Sequence, residues 1–318
     1  MVDNNSTPHA RAGNGAANQA GSFLFPMKPP LSFSEQIDLM RSRGLSIEDE
    51  TSALKRLSQT NYYRLRGYWL TFERDGAFIP GTTFDMVWDV YSLDIELKAL
   101  LWRAIEPVEI KARTSFAYHM AMALGPSSYS DPDFFRNGSA HSRSMANVGR
   151  EVDRALKDGV PCVRHNIEKY GELPIWAAVE VMTMGTVSQL YGNLDGASAI
   201  YGDGKSVQSA IAGDFRVKPR YLKSWLRHLT YIRNICAHHS RLYNRVITSR
   251  AALLKADAGF DNGKEFPTFL VLKRIYERSW PGEWSGLLDD FREIVERHHE
   301  VRLGPMGFPD RWEEALNI

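Results

Sequence analysis

The longest periodic stretch of the sequence is FDMVWDVYSLDIELKALLWRAIEPVEIKARTSFAYHMAMAL, residues 84–124. Its apolar residues recur every three or four positions, as they do on the buried face of an α-helix. Pro107 is the one interruption, because proline lacks the amide hydrogen that a helix interior uses. We therefore predict one kinked helix or two consecutive helices over 84–124, and this stretch indicates an all-α fold.

Helical spacing continues on both sides of this stretch. It predicts further helices over 34–43, 46–57, 152–170, 174–190, 219–254 and 285–301, with Ser34 and Ser46 as N-caps of the first two. Alternating strand patterns are almost absent. Residues 1–22 are rich in Asn, Ala, Gly and Ser and predict a disordered tail. Residues 23–318 are expected to form the folded part, and a subdomain boundary would fall in the Ser-, Pro- and Gly-rich connection 126–149.

Cysteine content and hydropathy restrict the cellular setting. Cys162 and Cys236 are too few for a disulfide framework, and no cysteine cluster has zinc-ligand spacing. No apolar run reaches the roughly 20 residues that a membrane-spanning helix needs, and the N-terminus lacks the apolar core of a signal peptide. We therefore expect a cytoplasmic protein that has no membrane partner and needs no metal or cofactor.

Positive charge is concentrated in one segment of a nearly neutral chain. The formal net charge is +1, yet no acidic residue lies between Asp214 and Asp257. The ten cations of this segment are Arg216, Lys218, Arg220, Lys223, Arg227, Arg233, Arg241, Arg245, Arg250 and Lys255. Such a segment can bind RNA phosphates, and Arg227, Arg241 and Arg245 are our candidate RNA-binding residues. The alternative is a solvated helix face whose interleaved aromatic residues belong to the core.

The run RNICAHH, residues 233–239, lies inside this basic segment. On a helical wheel Arg233 falls at the margin of the apolar face, where its guanidinium needs a partner. His238 falls about 140° around the helix from Arg233, in line with Asn234 before it and with Arg241 and Arg245 after it, and is expected to point outward. His239 falls on the buried stripe and is expected to be structural.

These residue types suit the cleavage of RNA without a metal ion. The reaction needs a base for the proton of the ribose 2′-OH, an acid for the leaving 5′-oxygen and cations for the charged phosphorane. Histidine titrates near neutrality, and arginine can bind two phosphate oxygens at once. The products would carry 2′,3′-cyclic phosphate and 5′-hydroxyl ends. Because one chain offers one such histidine, we expect a symmetric homodimer to complete the site.

An arginine followed closely by a histidine also occurs at three other places. These pairs are Arg113 with His119, Arg136 with His141, and Arg292 with His298. The second lies in the Gly- and Ser-rich connection and the third in an acidic helix, so neither setting suits a phosphate. The first is kept as an accessory element, although a salt bridge to Glu109, four residues before Arg113, would explain that arginine.

The run RNICAHH resembles the arginine-asparagine-x-x-x-histidine signature of HEPN ribonucleases. Five blocks, at residues 57–69, 84–91, 105–113, 174–180 and 240–245, are similar in order to those of the Abi-like (AbiD/AbiF) abortive-infection family. The resemblance implies an all-α, HEPN-like helical bundle with additional N-terminal and C-terminal helices. It also implies an RNA-cleaving toxin used by bacteria against phage.

The resemblance assigns roles to three residues of the run. Arg233 and His238 would be catalytic, and Asn234 would orient them. Glu180 is our candidate partner for Arg233, inferred from the need for a counter-charge, and it could equally be an ordinary surface glutamate. RNA is the expected substrate, and a non-coding RNA or an antitoxin would hold the activity in check.

Two other functions fit parts of the sequence. In the first, the basic helix 216–255 holds a non-coding or antitoxin RNA without cutting it, so that phosphate-binding cations matter more than His238. In the second, the chain transfers a nucleotidyl group, as partners of HEPN domains do. No glycine-rich phosphate loop or paired-carboxylate metal site supports the second function.

Overall fold

The computed structural model describes residues 29–317, and most of this range is helical. The α-helices are α1 (Phe33–Ser42), α2 (Glu50–Thr60), α3 (Tyr62–Arg66), α4 (Phe84–Leu124), α5 (Gly138–Lys157), α6 (Pro161–Tyr170), α7 (Ile175–Val181), α8 (Met184–Asn193), α9 (Val207–Asp214), α10 (Pro219–Ala237), α11 (Phe266–Ser279), α12 (Glu283–Arg297) and α13 (Trp312–Leu316). The all-α prediction is confirmed. The predicted disordered tail 1–22 lies outside the described residues.

Helix α4 is the central element of the bundle. It is a single helix of 41 residues, capped at its start by the Thr83 side chain and ended by Gly125 at a φ of 94°. Pro107 lies inside it, so the missing hydrogen bond is tolerated where neighbours such as Ile105 and Val108 are fully buried. Helices α7, α8, α9, α10 and α12 all pack against α4. These five helices are therefore held in place by contacts with one continuous helix.

Several predicted helix boundaries differ from the observed ones. Helix α1 is capped by Ser32 in a capping box with Glu35, and α2 by Asp49, so the predicted caps Ser34 and Ser46 are wrong. The predicted helix 152–170 divides into the end of α5 and α6, and the predicted helix 174–190 divides into α7 and α8. Half of the predicted connection 126–149 is helical, because Asn137 caps α5.

The sequence pattern gave no sign of a small antiparallel hairpin before α4. Strands β1 (Glu73–Arg74) and β2 (Ala77–Phe78) pair Glu73 with Phe78 and Arg74 with Ala77. Asp75 and Gly76 form the turn at φ values of 52° and 84°, as a two-residue hairpin loop requires. Within residues 29–317, no helix is both long and apolar enough to cross a membrane.

Candidate functional site

The C-terminal end of α10 carries the predicted catalytic run. Helix α10 stops one residue before His238, which is its C-cap. The His239 amide donates to the Cys236 carbonyl at 3.1 Å. The Ser240 amide donates to the Ile235 carbonyl at 3.0 Å. These two bonds form a Schellman motif, which closes the helix.

His239 is the residue at which the chain leaves the helix, in a left-handed conformation with a φ of 51°. Glycine usually takes this position, because a Cβ atom makes the conformation unfavourable by roughly 1–2 kcal/mol. The predicted burial of His239 is wrong, since the helix has ended and the residue is exposed. No glycine marks this helix end, so the predicted helix 219–254 extended too far.

Helix α4 presents four side chains to this end of α10. Asp94, Lys98, Trp102 and Glu109 follow one another at spacings of four, four and seven residues, so they share one side of α4. The first two hold the loop that follows α10, and the last two contact Arg233. The site is therefore built where one stripe of α4 meets the end of α10.

Asp94 anchors the loop after α10 and is fully buried. Its Oδ1 accepts hydrogen bonds from the amides of Leu242 at 3.0 Å and Tyr243 at 2.6 Å. Its Oδ2 accepts from the Tyr68 hydroxyl at 2.7 Å and lies 2.8 Å from the Lys98 ammonium. A buried carboxylate with four partners fixes the loop to α4.

Two cationic side chains from other helices donate hydrogen bonds to backbone carbonyls just after the end of α10. The Lys98 ammonium donates to the Ser240 carbonyl at 3.3 Å, and the Arg64 guanidinium donates to the His239 carbonyl. Positive groups are favourable here, because the carbonyl end of a helix carries a partial negative charge. Arg64 lies in the block 57–69, which the sequence had singled out only by resemblance.

Arg233 has two partners, and both are on α4. Its Nε lies 3.4 Å from Glu109 Oε2, and its Cζ lies 4.6 Å from the centroid of the Trp102 ring. In the described part of the chain, the Nε atom is buried and makes no hydrogen bond. Among residues 29–317, no acceptor is hydrogen-bonded to its two terminal nitrogens. The guanidinium is thus held in place while those nitrogens can donate to a phosphate.

The predicted pairing of Arg233 with Glu180 is wrong. Glu180 is exposed on α7, and the counter-charge of Arg233 is Glu109. The predicted salt bridge between Glu109 and Arg113 is present as well, so one carboxylate serves two arginines. The prediction that Arg233 needs a counter-charge is confirmed, but a helical wheel cannot tell which helix supplies that charge.

The other accessory residues have separate structural roles. Arg113 donates to the carbonyls of Val179 and Met182 and so caps the end of α7. His119 Nδ1 lies 2.6 Å from the Tyr201 hydroxyl, and its Nε2 lies 3.0 Å from Asp214. His119 follows Glu109 by ten residues, or about 15 Å along α4, so the structure does not bring it to Arg233.

His238 and Asn234 are exposed on one side of α10. The His238 amide donates to the Asn234 carbonyl at 3.0 Å. Within residues 29–317, no hydrogen bond joins the Asn234 side chain to Arg233 or His238. The outward position of His238 agrees with the wheel, whereas the orienting role of Asn234 stays a prediction.

A cleft of about 680 Å³ opens between α4 and the end of α10. Helix α4 contributes Tyr91, Ile95, Lys98, Ala99 and Trp102 to its walls, and the end of α10 contributes Cys236, Ala237 and His239, with Arg64 completing it. Trp102 is shared, because its ring also contacts the Arg233 guanidinium. The cleft therefore adjoins the arginine of the predicted catalytic run.

Arg241 and Arg245 lie in the loop after α10, so the prediction that they continue the helix face of His238 is wrong. Arg245 Nε donates to the Tyr231 hydroxyl at 3.1 Å, and its Nη1 donates to the Arg241 carbonyl at 3.0 Å. Arg241 donates to the Tyr243 carbonyl. Both guanidinium groups therefore help to hold this loop.

Arg227 is exposed on α10, well before the catalytic run. It lines a smaller cleft of about 330 Å³ together with Lys223 from the same helix and Arg143 from α5. No carboxylate is among the residues that line this cleft. Three cations therefore converge there without a local counter-charge.

Cys236 is excluded as a nucleophile. Burial raises the pKa of its thiol to about 12, so the reactive thiolate does not form near neutral pH. Within residues 29–317, no group of three or more His, Cys, Asp or Glu side chains is arranged to hold a metal ion. The residues that remain for chemistry at this end of α10 are an arginine and two histidines.

Glu265 gives the loop a second buried anchor. The carboxylate is 1% exposed, and its Oε1 accepts a hydrogen bond from the Arg245 amide at 2.8 Å. Its Oε2 is buried and has no hydrogen-bond partner among the residues that the structure describes. Burial raises the pKa of the Glu265 carboxyl to about 8, since desolvation outweighs the amide bonds and the nearby Lys264.

We expect this carboxyl to make the protein less stable as pH rises. Its pKa is about 8 in the folded protein against 4.5 for the free side chain, so between these values only the folded state holds the proton. The free energy of unfolding should fall by about 1.4 kcal/mol per pH unit across this window. Glu265→Gln should remove this contribution, as urea unfolding at pH 5.5, 6.5 and 7.5 would measure. Equal slopes for the two proteins would contradict the assignment.

This chain is related to a known protein family. Residues 55–244 match the model of a family described as Abi-like protein. The chain belongs to the Abi-like protein family. Membership points to a role in abortive-infection defence. No curated protein and no solved structure matches the chain. The part matched to the Abi-like family contains α4 and α10 and therefore Asp94, Glu109, Arg233 and His238.

Proposed function

We propose that this Abi-like protein is an endoribonuclease toxin of the HEPN type, which cleaves RNA through Arg233 and His238 without a metal ion. One observation carries the proposal. Arg233 is paired with Glu109, its terminal nitrogens make no hydrogen bond within residues 29–317, and it lies within one and a half helical turns of the exposed His238. This pairing supplies both a phosphate ligand and a group that can move a proton.

The proposed reaction uses the substrate's own 2′-oxygen as nucleophile. His238 removes the 2′-OH proton, and the oxygen attacks the adjacent phosphorus. Arg233 binds the non-bridging oxygens, where negative charge increases in the transition state. The bond from phosphorus to the 5′-oxygen then breaks, and that oxygen takes a proton. The products are a 2′,3′-cyclic phosphate and a 5′-hydroxyl.

The leaving oxygen needs an acid, and we propose that a second copy of the chain provides it. A two-fold symmetric homodimer would bring the ends of two α10 helices together, so that His238 of one copy acts as base and that of the other as acid. Wild-type chain mixed with an excess of His238→Ala chain should then lose activity beyond simple dilution, because a mixed dimer lacks one of the two imidazoles.

A substrate that lacks one 2′-OH tests the proposed chemistry. We expect an RNA oligonucleotide to be cut in EDTA, and the same oligonucleotide with a 2′-deoxy sugar to be uncut at that position. Cleavage at the deoxy position would mean that water or another nucleophile attacks the phosphorus. The role as an RNA-cleaving toxin would then need a different mechanism.

Glu109 provides a prediction about the orientation of Arg233. Glu109→Gln keeps the shape of the side chain but removes the counter-charge 3.4 Å from Arg233 Nε. We expect cleavage to slow by about 10- to 100-fold, because a misplaced phosphate ligand loses much of its effect. Initial rates measure the change. Glu106→Gln, an exposed position one turn earlier on α4, is the control, and equal rates for both variants would contradict the role of Glu109.

A second function, the binding of a non-coding or antitoxin RNA without cleavage, is favoured by the cations around Arg227. Arg143, Lys223 and Arg227 form a cleft with no carboxylate in its walls. In that case Lys223→Ala with Arg227→Ala should reduce RNA affinity and its dependence on salt, whereas His238→Ala should change neither. Gel-shift titrations at two salt concentrations measure this binding, and absence of cleavage by the wild-type protein in EDTA would favour this function over the ribonuclease.

A further inference from the structure

We propose that the cleft beside Arg233 is a nucleobase-binding subsite for an unpaired nucleotide of the RNA, with His239 as a residue that contacts the base. The inference rests on the proposed function and specifies its substrate class, because a base can enter the cleft only from a single-stranded segment. Nothing in the run 233–239 or in the family match assigns a ligand to this cleft.

The size and walls of the cleft fit a nucleobase better than a phosphate. Its volume of about 680 Å³ lies in the range of small-molecule sites. Tyr91 and Trp102 provide aromatic rings, and Ile95 and Ala99 provide apolar surface. Proteins hold unpaired RNA bases by stacking them on such aromatic side chains.

The two cations that line the cleft are already engaged. Lys98 is paired with the buried Asp94 and donates to the Ser240 carbonyl. Arg64 donates to the His239 carbonyl. Since both serve to close the end of α10, the cleft offers little free positive charge to a phosphate. The free phosphate ligand is Arg233, which lies on the Trp102 ring at the edge of the cleft. A base in the cleft would thus have its own phosphate within reach of Arg233.

His239 is held in this wall at a cost to stability. It has the left-handed conformation that favours glycine, and its side chain is nevertheless exposed and lines the cleft. The side chain is not part of the hydrophobic core, so packing does not explain why position 239 is a histidine. A contact between the imidazole and a ligand explains both the residue type and its position, because imidazole can stack on a base and hydrogen-bond to its edge.

The test uses a background in which cleavage is removed, so that binding is measured by itself. The parent is His238→Ala, and its affinity for a fluorescein-labelled eight-nucleotide RNA is compared with that for the same strand in a duplex. We expect His239→Gly to raise the melting temperature, since glycine adopts the left-handed conformation without strain. It should also lower the affinity for the single strand by about 10- to 100-fold, the range for one stacked base.

A second variant and a matched control complete the design. Ala99→Phe fills the cleft from an exposed position and should also weaken binding of the single strand. Asp75→Gly relieves the same kind of backbone strain in the hairpin turn, at a φ of 52°, and should leave affinity unchanged. Duplex affinity should be the same in the parent and all variants.

The outcomes separate this inference from the proposed function. If the parent binds the single strand and His239→Gly and Ala99→Phe bind it equally well, the base subsite is wrong while the ribonuclease proposal stands. If affinity for strand and duplex falls together, the cleft does not recognise a base. If the parent binds no RNA and the wild-type protein cuts none, both proposals fail.

Discussion

His238→Ala should slow RNA cleavage by about 10²- to 10⁴-fold, the usual contribution of a positioned general base. The imidazole is exposed at the C-cap of α10 and makes no hydrogen bond to other described side chains, so the substitution removes chemistry without removing packing. Initial rates with an end-labelled RNA in EDTA measure the effect. Arg233→Ala should cost about 10²- to 10³-fold, because it removes a ligand of the developing charge.

The control for this prediction is another exposed histidine. His165→Ala on α6 should keep the wild-type rate. Thermal melting of His238→Ala should match that of the wild type, which shows that the loss is not one of folding. A cleavage rate of His238→Ala within threefold of the wild-type rate would contradict the catalytic role of His238. The basic face of α10 would then be a binding surface only.

Asp94→Ala should destabilise the protein by about 3–5 kcal/mol, the range for breaking a buried ion pair. The substitution leaves the ammonium of Lys98, two backbone amides and the Tyr68 hydroxyl without their acceptor. Urea unfolding of the purified variant measures the loss. Because the loop after α10 is attached through these bonds, cleavage should fall with stability.

A second substitution makes the Asp94 prediction specific. Adding Lys98→Met to Asp94→Ala should restore part of the stability, because the unpaired buried ammonium is then gone. Asp290→Ala breaks an ion pair with Arg103 that is about half exposed, and it should cost no more than about 1 kcal/mol. If Asp94→Ala costs no more than Asp290→Ala, the account of the loop anchor is wrong.

Periodicity predicted the elements of the fold better than their ends. The 84–124 pattern identified α4, but the end of α10 was missed because His239 takes a place that glycine usually marks. Because the predicted helix continued to residue 254, Arg241 and Arg245 were wrongly placed on the same helix face as His238. The local sequence indicates only the helical propensity of each residue. The backbone after α10 is held by hydrogen bonds with the distant side chains of Asp94, Lys98 and Arg64.

The site could be found in part from the sequence, because Arg233 and His238 lie close together in the chain. Their supports lie more than a hundred residues earlier, so no local pattern joins them to Glu109, Trp102 or Asp94. One signal was present: Asp94 and Lys98 interrupt an otherwise apolar stripe of α4 at an i, i+4 spacing. Charges at core positions of a helix indicate a buried network, and this one holds the site.

The most direct test of the account is the chemical identity of the RNA ends that the purified wild-type protein produces in EDTA. The account predicts 2′,3′-cyclic phosphate and 5′-hydroxyl ends, identified by mass, and formation of these products by His238→Ala slowed by about 10²-fold or more under the same conditions. Products with 3′-hydroxyl ends, or cleavage that stops in EDTA and resumes with a divalent cation, would contradict it.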